Sequence, residues 1–254
     1  MQLAALLPIR PVTYLGQVLI SAAAGVAGRW RFRSKDLGQI VADCSARAVP
    51  IVTVVNILVG AILAFVGAVQ LIKFGAGIYV ADVVALAMVR ELSGVITAIV
   101  MAGRTGSSYA AELATMKLTQ EIDALNTMGL GTIDFVVLPR MLALSLMLPL
   151  LCVYSDFVGI AGGTLVAVSM LDLTTAQYLH ETRAALPLTT FFIGVGKSAV
   201  FGVLVAFLGC RAGLHTGRSA AAVGHAATTA MVSAIVAIIV ADGVFAVIFQ
   251  VLGI

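Results

Sequence analysis

Between Arg47 and Lys73 the chain runs for 25 residues without a charged side chain. At about 1.5 Å of rise per residue, a helix over that stretch crosses the roughly 30 Å hydrocarbon core of a bilayer in one pass. Taking charges as punctuation gives a first span near 49–71 and four more. The second, 83–103, is interrupted only by Arg90-Glu91, and the third, 141–171, is one long or bent helix containing Pro149 and Asp156. The fourth, 184–210, has Lys197 as its one internal charge, and the fifth, 226–252, holds only Asp242. Hydrophobic residues make up 61% of the chain and charged ones 11%, where a soluble domain carries about a quarter charged. An all-α membrane protein is predicted. A water-soluble enzyme is excluded, and so is a nucleic-acid binder, despite 15 bases against 12 acids.

The segment 1–46 reads differently. Pro11 to Gly28 is apolar but rich in Gly and Ala, and it runs into Arg29, Arg31, Arg33 and Lys35 with Trp30 and Phe32 between them. Basic and aromatic side chains together suit a membrane surface, which predicts an interfacial helix. A cleaved signal peptide is the rival, and basic residues directly after the cut would oppose export. With the N-terminus cytoplasmic, eleven of the 15 bases fall on the inner side and only Lys73 and Arg183 outside. That asymmetry sets the orientation and leaves the C-terminus periplasmic.

The most polar part of the chain is GRTGSSYAAELATMKLTQEIDALNTMG, residues 103–129. Ser107-Ser108 in capping position and Gly129 at the end predict a helix over 107–128. Ala111, Ala114, Leu118, Ile122 and Leu125 share one side of it, and Glu112, Thr119, Asp123 and Asn126 another. It reads either as a solvated connector or as a coupling helix that takes force from a cytoplasmic motor.

This segment, MVRELSGVITAIVMAGR before it, and GKSAVFGVLVAFLGCRAGLHTGRSAAAVGHAATTAMVSAIVAIIVADGVF near the C-terminus resemble the MlaE/YrbE permease family. These are the membrane subunits of MCE-associated ABC transporters. The likeness covers most of the chain from about residue 45, with local departures at Asn126-Thr127 and Gly129-Leu-Gly131. The resemblance implies an N-terminal interfacial helix, five transmembrane helices, a coupling helix between spans two and three, and a short extracytoplasmic helix between spans three and four. It also implies a bacterial inner-membrane location, a second permease copy, an ABC ATPase subunit holding ATP and Mg, a periplasmic MCE-domain protein, a small STAS-type cytoplasmic subunit, and a lipid cargo such as phospholipid. Arg104, Glu112, Lys117, Thr119, Glu121 and Asp123 are then the candidates for contact with the ATPase.

A charge at hydrocarbon depth is costly unless paired or wetted, so each is a functional candidate. Lys197 and Glu91 match positions around the family's lipid cavity, and Arg90, Asp242, Gln70 and Leu92 complete the candidate set. Adjacent residues lie about 100° apart on a helix, so Arg90 and Glu91 are expected to face different neighbours, one of them pairing with Lys197 or Asp242. A purely structural ion-pair network is the competing account. Met88, Leu92, Ile96 and Val100 form a stripe suited to acyl tails or to plain helix packing. Two GxxxG pairs occur: Gly159–Gly163 within a span, expected at a helix contact, and Gly213–Gly217, expected in a loop turn.

Other chemistry is poorly supported. Cys44, Cys152 and Cys210 are far apart and read as small apolar residues, and three histidines make no zinc set. Gly194-Val-Gly-Lys-Ser198 resembles the tail of a P-loop, but Phe191 stands where that motif needs glycine. No cofactor is expected in this chain, and ATP hydrolysis is assigned to a partner. No HExxH or GxSxG supports a membrane enzyme. An ion-gradient-driven secondary transporter of a lipophilic substrate is the second hypothesis, with Glu91, Lys197 and Asp242 as a proton relay. It lacks the internal repeats such proteins usually carry.

Overall fold

The computed structural model describes residues 10–26, 34–171 and 173–253, all helices and short connections. The cluster Arg29 to Arg33, with Trp30 and Phe32, lies outside the described residues. Among the described residues five helical stretches are long and apolar enough to cross a membrane, and one shorter apolar helix precedes them. The protein is an all-α, multi-pass membrane protein.

Helix α1 (Arg10–Val26) and α2 (Ser34–Ser45) lead into the first span, α3 (Val49–Leu71). Pro50 sits in the first turn of α3, where its missing N–H costs nothing. A 3-10 turn then ends at Gly75, whose φ of 69° closes the helix in the left-handed region.

The second span is one unbroken helical rod. It comprises α4 (Val80–Ala87), a π-helical turn at Met88–Leu92, α5 (Ser93–Met101), a second π-turn at Ala102–Gly106, and α6 (Ser107–Leu118). The predicted helix start at Ser107 is therefore corrected. The Ser107 hydroxyl donates back to the Gly103 and Arg104 carbonyls instead of capping free N–H groups. The predicted run to Gly129 is corrected too. Gln120 takes φ 63°, a left-handed conformation that a non-glycine residue adopts only where the chain must turn. A separate short helix α7 (Glu121–Thr127) follows. Ala114 and Ile122 are buried while Leu118, predicted on the same apolar side, is exposed at the end of α6.

A third π-turn, Ile133–Val137, opens α8 (Leu138–Met170), which carries Pro149 internally. The short helix α9 (Thr175–Ala185) starts with a capping box in which Thr174 and Gln177 satisfy each other's backbone N–H groups. Residues 184–187 do not begin the fourth span, because α9 ends there and Leu186-Pro187 stays extended. The span is α10 (Leu188–Leu214). Helix α11 (Ala220–Leu252) is capped by the Ser219 hydroxyl, which accepts from Ala222 N–H.

Without a hydrophobic force between helices in lipid, close backbone approach holds the bundle together. A Cβ on Gly60 would fall 1.9 Å from the Gly159 carbonyl oxygen, and one on Gly162 would fall 2.2 Å from that of Ile57. Spans one and three thus meet backbone to backbone, at the first GxxxG pair. The second pair is corrected: Gly213 is not in a turn but inside α10, where an added Cβ would lie 2.6 Å from the Ala110 carbonyl of α6.

Candidate functional site

Lys197 decides where to look. Its side chain is 2% exposed. It lies nine residues from the start of α10, Glu91 eleven from the start of α4, and Asp242 ten before the end of α11. At 1.5 Å per residue all three stand about 14–17 Å below the same end of the bundle, near mid-depth of a roughly 30 Å core. Gly194 brings the helices close enough for this: a Cβ there would lie 2.1 Å from the Val89 carbonyl oxygen.

The Lys197 ammonium donates to Glu91 Oε2. It also stands 2.6 Å from Asp242 Oδ1, off the line of a hydrogen bond, so that contact is ionic. Arg90 Nε is 3.6 Å from Glu91 Oε1. Glu91 is thus the one of the two adjacent residues that pairs with Lys197, as expected, and Arg90 also reaches it. Both lie in the π-turn Met88–Leu92, and Glu91 bridges Arg90 to Lys197 with its two oxygens. Two acids and two bases form a neutral chain across spans two, four and five. Glu91, Arg90 and Asp242 are 35%, 34% and 26% exposed, so the chain is open along one face rather than sealed.

The other candidates fall elsewhere. Gln70 is exposed near the end of α3, away from this cluster. Leu92 and Met88 pack with Ala64, Val80 and Val84, and the Met88 side chain fills the space beside Gly159; this part of the stripe is helix packing.

Sequence reasoning missed a second polar group between spans one, two and three. Asn56 Nδ2 donates to Ser155 Oγ (3.2 Å) and Thr97 Oγ1 (3.4 Å), which are themselves 2.8 Å apart. All three residues are fully buried, and Asp156 and Ser93 lie buried among the same helices. Their signal was present as lone polar residues inside apolar runs, but a neutral amide or hydroxyl stands out less than a charge.

At the other end of the bundle, the proposed coupling residues are mostly engaged with this chain. Arg104 donates to the Asp43 carbonyl at 3.1 Å. Glu112 accepts from Ser108 and pairs with Arg140 at 3.1 Å, and Arg140 lies over the Tyr109 ring. Lys117 donates to the Leu214 and Thr216 carbonyls at 2.8 and 2.7 Å, capping the end of α10 with a cation. Asp123 pairs with Arg218 at 2.6 Å, and Thr119 donates to Glu121. What projects outward is the turn between α6 and α7 and the end of α7, with Leu118, Thr119, Gln120, Glu121 and Met128 exposed.

A model of the Permease MlaE family matches residues 38–248. The chain belongs to the MlaE permease family. The likeness extends to individual relatives named as probable ABC transporter permease proteins. It is 40% identical over 173 residues to slr1045 of Synechocystis, covering 68% of this chain and 66% of that protein. It is 35% identical over 195 residues to RC0129 of Rickettsia conorii, covering 77% and 75%. It is 36% identical over 160 residues to ycf63 of Pyropia yezoensis, covering 63% and 61%. The matched stretch of this MlaE-family permease includes Arg90, Glu91, Lys197 and Asp242 and the whole of α6 and α7. As an ABC transporter permease it is a transport subunit, and its class implies an ATPase partner.

Proposed function

We propose that this permease moves a phospholipid, or a lipid of similar build, between the inner membrane and a periplasmic MCE-domain protein, powered by a separate ATPase. The observation that carries the reading is the open chain Arg90–Glu91–Lys197–Asp242 at mid-membrane depth. A lipid pairs a polar headgroup with apolar tails, so its path needs fixed charges inside an apolar wall. Lys197 offers a point charge for a headgroup phosphate, and Glu91 and Asp242 hold it until the headgroup competes. Charges this exposed are unfavourable against hydrocarbon. The face that bears them therefore fits a cavity closed by a second copy of the chain, and a homodimer supplies that most simply. The exposed turn at residues 118–121 and Met128 form the surface on which the ATPase docks, with the N-terminus cytoplasmic and the C-terminus periplasmic. Gln70, exposed near the end of the first span, would meet the headgroup after release.

The test is lipid retention by the purified complex. Lys197→Ala and Glu91→Ala are expected to lower co-purifying phospholipid several-fold while the complex remains assembled; undiminished lipid in both variants returns the cluster to a structural role. Asp156, a buried carboxyl with an oxygen lacking a hydrogen-bond partner, favours a second reading, ion-gradient-driven transport. Lipid transfer in vesicles that needs an ion gradient and no nucleotide would establish that one instead.

A further inference from the structure

Between α2, the lower part of span two and the start of α8 lies a pocket that takes no part in the lipid path described above. It has a volume of about 290 Å³, and three arginines line it: Arg47 from the link before α3, Arg104 from the second π-turn and Arg140 from α8. Its floor is buried. Cys44, Thr105 and Tyr109 are 5% exposed or less, and the Arg140 side chain is 14% exposed. Its rim is open, with Asp43, Arg47 and Glu112 all exposed.

Charge in this pocket does not cancel. Arg47 pairs with Asp43 and Arg140 with Glu112, each at 3.1 Å, and that uses both of its acids. Arg104 donates from Nη1 to the Asp43 carbonyl and, at 3.5 Å, to the Thr105 hydroxyl, and it has no carboxylate partner among the described residues. The rest of the sequence supplies none nearby. Its one acidic side chain outside the described residues is Asp172, which follows α8 at the end opposite Arg140. Arg140 Nε is buried and also lacks a hydrogen-bond partner among the described residues, a donor left for an acceptor from elsewhere. One surplus positive charge and an orphaned guanidinium N–H call for an anion.

Depth identifies its source. Arg47 lies 24 residues before the end of α3, and Arg104 lies 24 residues after the start of α4. Two separate counts thus place a guanidinium about 36 Å from the Leu71 and Val80 end of the bundle. A bilayer has a core of about 30 Å and measures about 40–45 Å with its headgroups, so both arginines stand level with the headgroups of the adjoining leaflet. Ile51 and Val54, 46% and 57% exposed, lead from there along α3 into the bilayer. The pocket has room for a headgroup, and this apolar flank has room for the tails.

We propose that the pocket binds the headgroup of an anionic phospholipid, its phosphate on Arg104, at a site separate from the Lys197 cluster. A guanidinium fork matches two phosphate oxygens. The single surplus charge favours a lipid of net charge −1 over a zwitterion, whose ammonium would enter beside three arginines. The bound lipid clasps the link before α3, the rod of span two and α8 together where the rod leaves the membrane. The inference does not require the cargo to be a lipid.

Photo-cross-linking tests it in the full transporter, in nanodiscs of phosphatidylethanolamine and phosphatidylglycerol. Ile40→p-benzoylphenylalanine reports on the pocket, which Ile40 lines, and Val54→p-benzoylphenylalanine on the bilayer beside it. The glycerol-to-ethanolamine adduct ratio at position 40 should exceed that at position 54 about fivefold. Arg104→Gln should bring it down to the position-54 value, and Arg104→Lys, which keeps the charge, should preserve most of it. Arg47→Gln, on the exposed rim where folding is not at stake, should lower it as well by cancelling the surplus. Equal ratios at the two positions, an ethanolamine preference, or a ratio indifferent to both neutral variants would each overturn the proposal. So would a position-40 adduct with the ATPase in place of lipid, which assigns the pocket to an acidic side chain of the motor. Collapse of the ratio on adding inorganic phosphate would overturn it in favour of a soluble anion. Lys197→Ala should leave the position-40 ratio unchanged whether or not it lowers co-purifying lipid, so the two sites stand or fall separately.

Discussion

Lys197 is held by two carboxylates, and that redundancy has a measurable signature. Either Glu91→Gln or Asp242→Asn leaves one counterion for a buried ammonium and should cost about 1 kcal/mol, discounted because both acids are partly exposed. Together they leave it with none, and the double variant should lose about 3–5 kcal/mol, more than the sum of the singles. Thermal unfolding of the detergent-solubilised protein reads this directly, and additive midpoints would show that Lys197 has another partner. Sequence alone located all four charges, because each interrupts an apolar run. It anticipated that Arg90 or Glu91 would pair with Lys197 or Asp242, but not that Lys197 would sit between Glu91 and Asp242 with Arg90 also at Glu91. The Asn56–Thr97–Ser155 group was less legible still, being neutral residues drawn from three separate spans.

Spans one and three, α3 and α8, depend on their glycines. Gly60→Ala would drive a methyl group into the Gly159 carbonyl and should cost about 1–3 kcal/mol, with Gly16→Ala, where an added Cβ meets nothing within 4 Å, as the neutral comparison. The π-turn at Met88–Leu92 offers a test of a different kind. Deleting Leu92 should restore α-helical winding and turn Glu91 by about 100° relative to α5. Lipid retention should then fall as it does in Glu91→Ala, while the protein still inserts and purifies; unchanged retention would mean the register is not set by that turn. Element positions were legible in the chain wherever apolar length decided them, as for α3. They were not legible where the backbone ran on past the expected boundary. Nothing about Ser107-Ser108 distinguishes a cap from the middle of a rod, and only Gln120, in a conformation that its residue type does not advertise, marks the true break.

The molecule as a whole leaves α3 and α11 with much apolar surface outward, as a membrane subunit should. Only part of that surface lies on the side bearing the open charges. Leu86 and Ile239 share helix faces with Arg90 and Asp242 and are 39% and 57% exposed. If a second copy closes that side, Leu86→Cys or Ile239→Cys should yield disulfide-linked dimers on mild oxidation, and Leu150→Cys on α8 should not. The native cysteines are all buried and do not compete. Cross-linking through position 150 alone would place the second copy elsewhere.

The unbroken winding from Gly77 to Leu118 has a mechanical meaning. Its 42 residues make a strut of about 60 Å, with the exposed turn at one end and Glu91 roughly a third of the way from the other. Between them only the π-turn at Ala102–Gly106 departs from α-winding, and the helix runs on through it. A push of a few ångströms beneath the membrane would therefore arrive as a tilt at the lysine's counterion, a lever arm requiring no relay of side chains between motor and cargo.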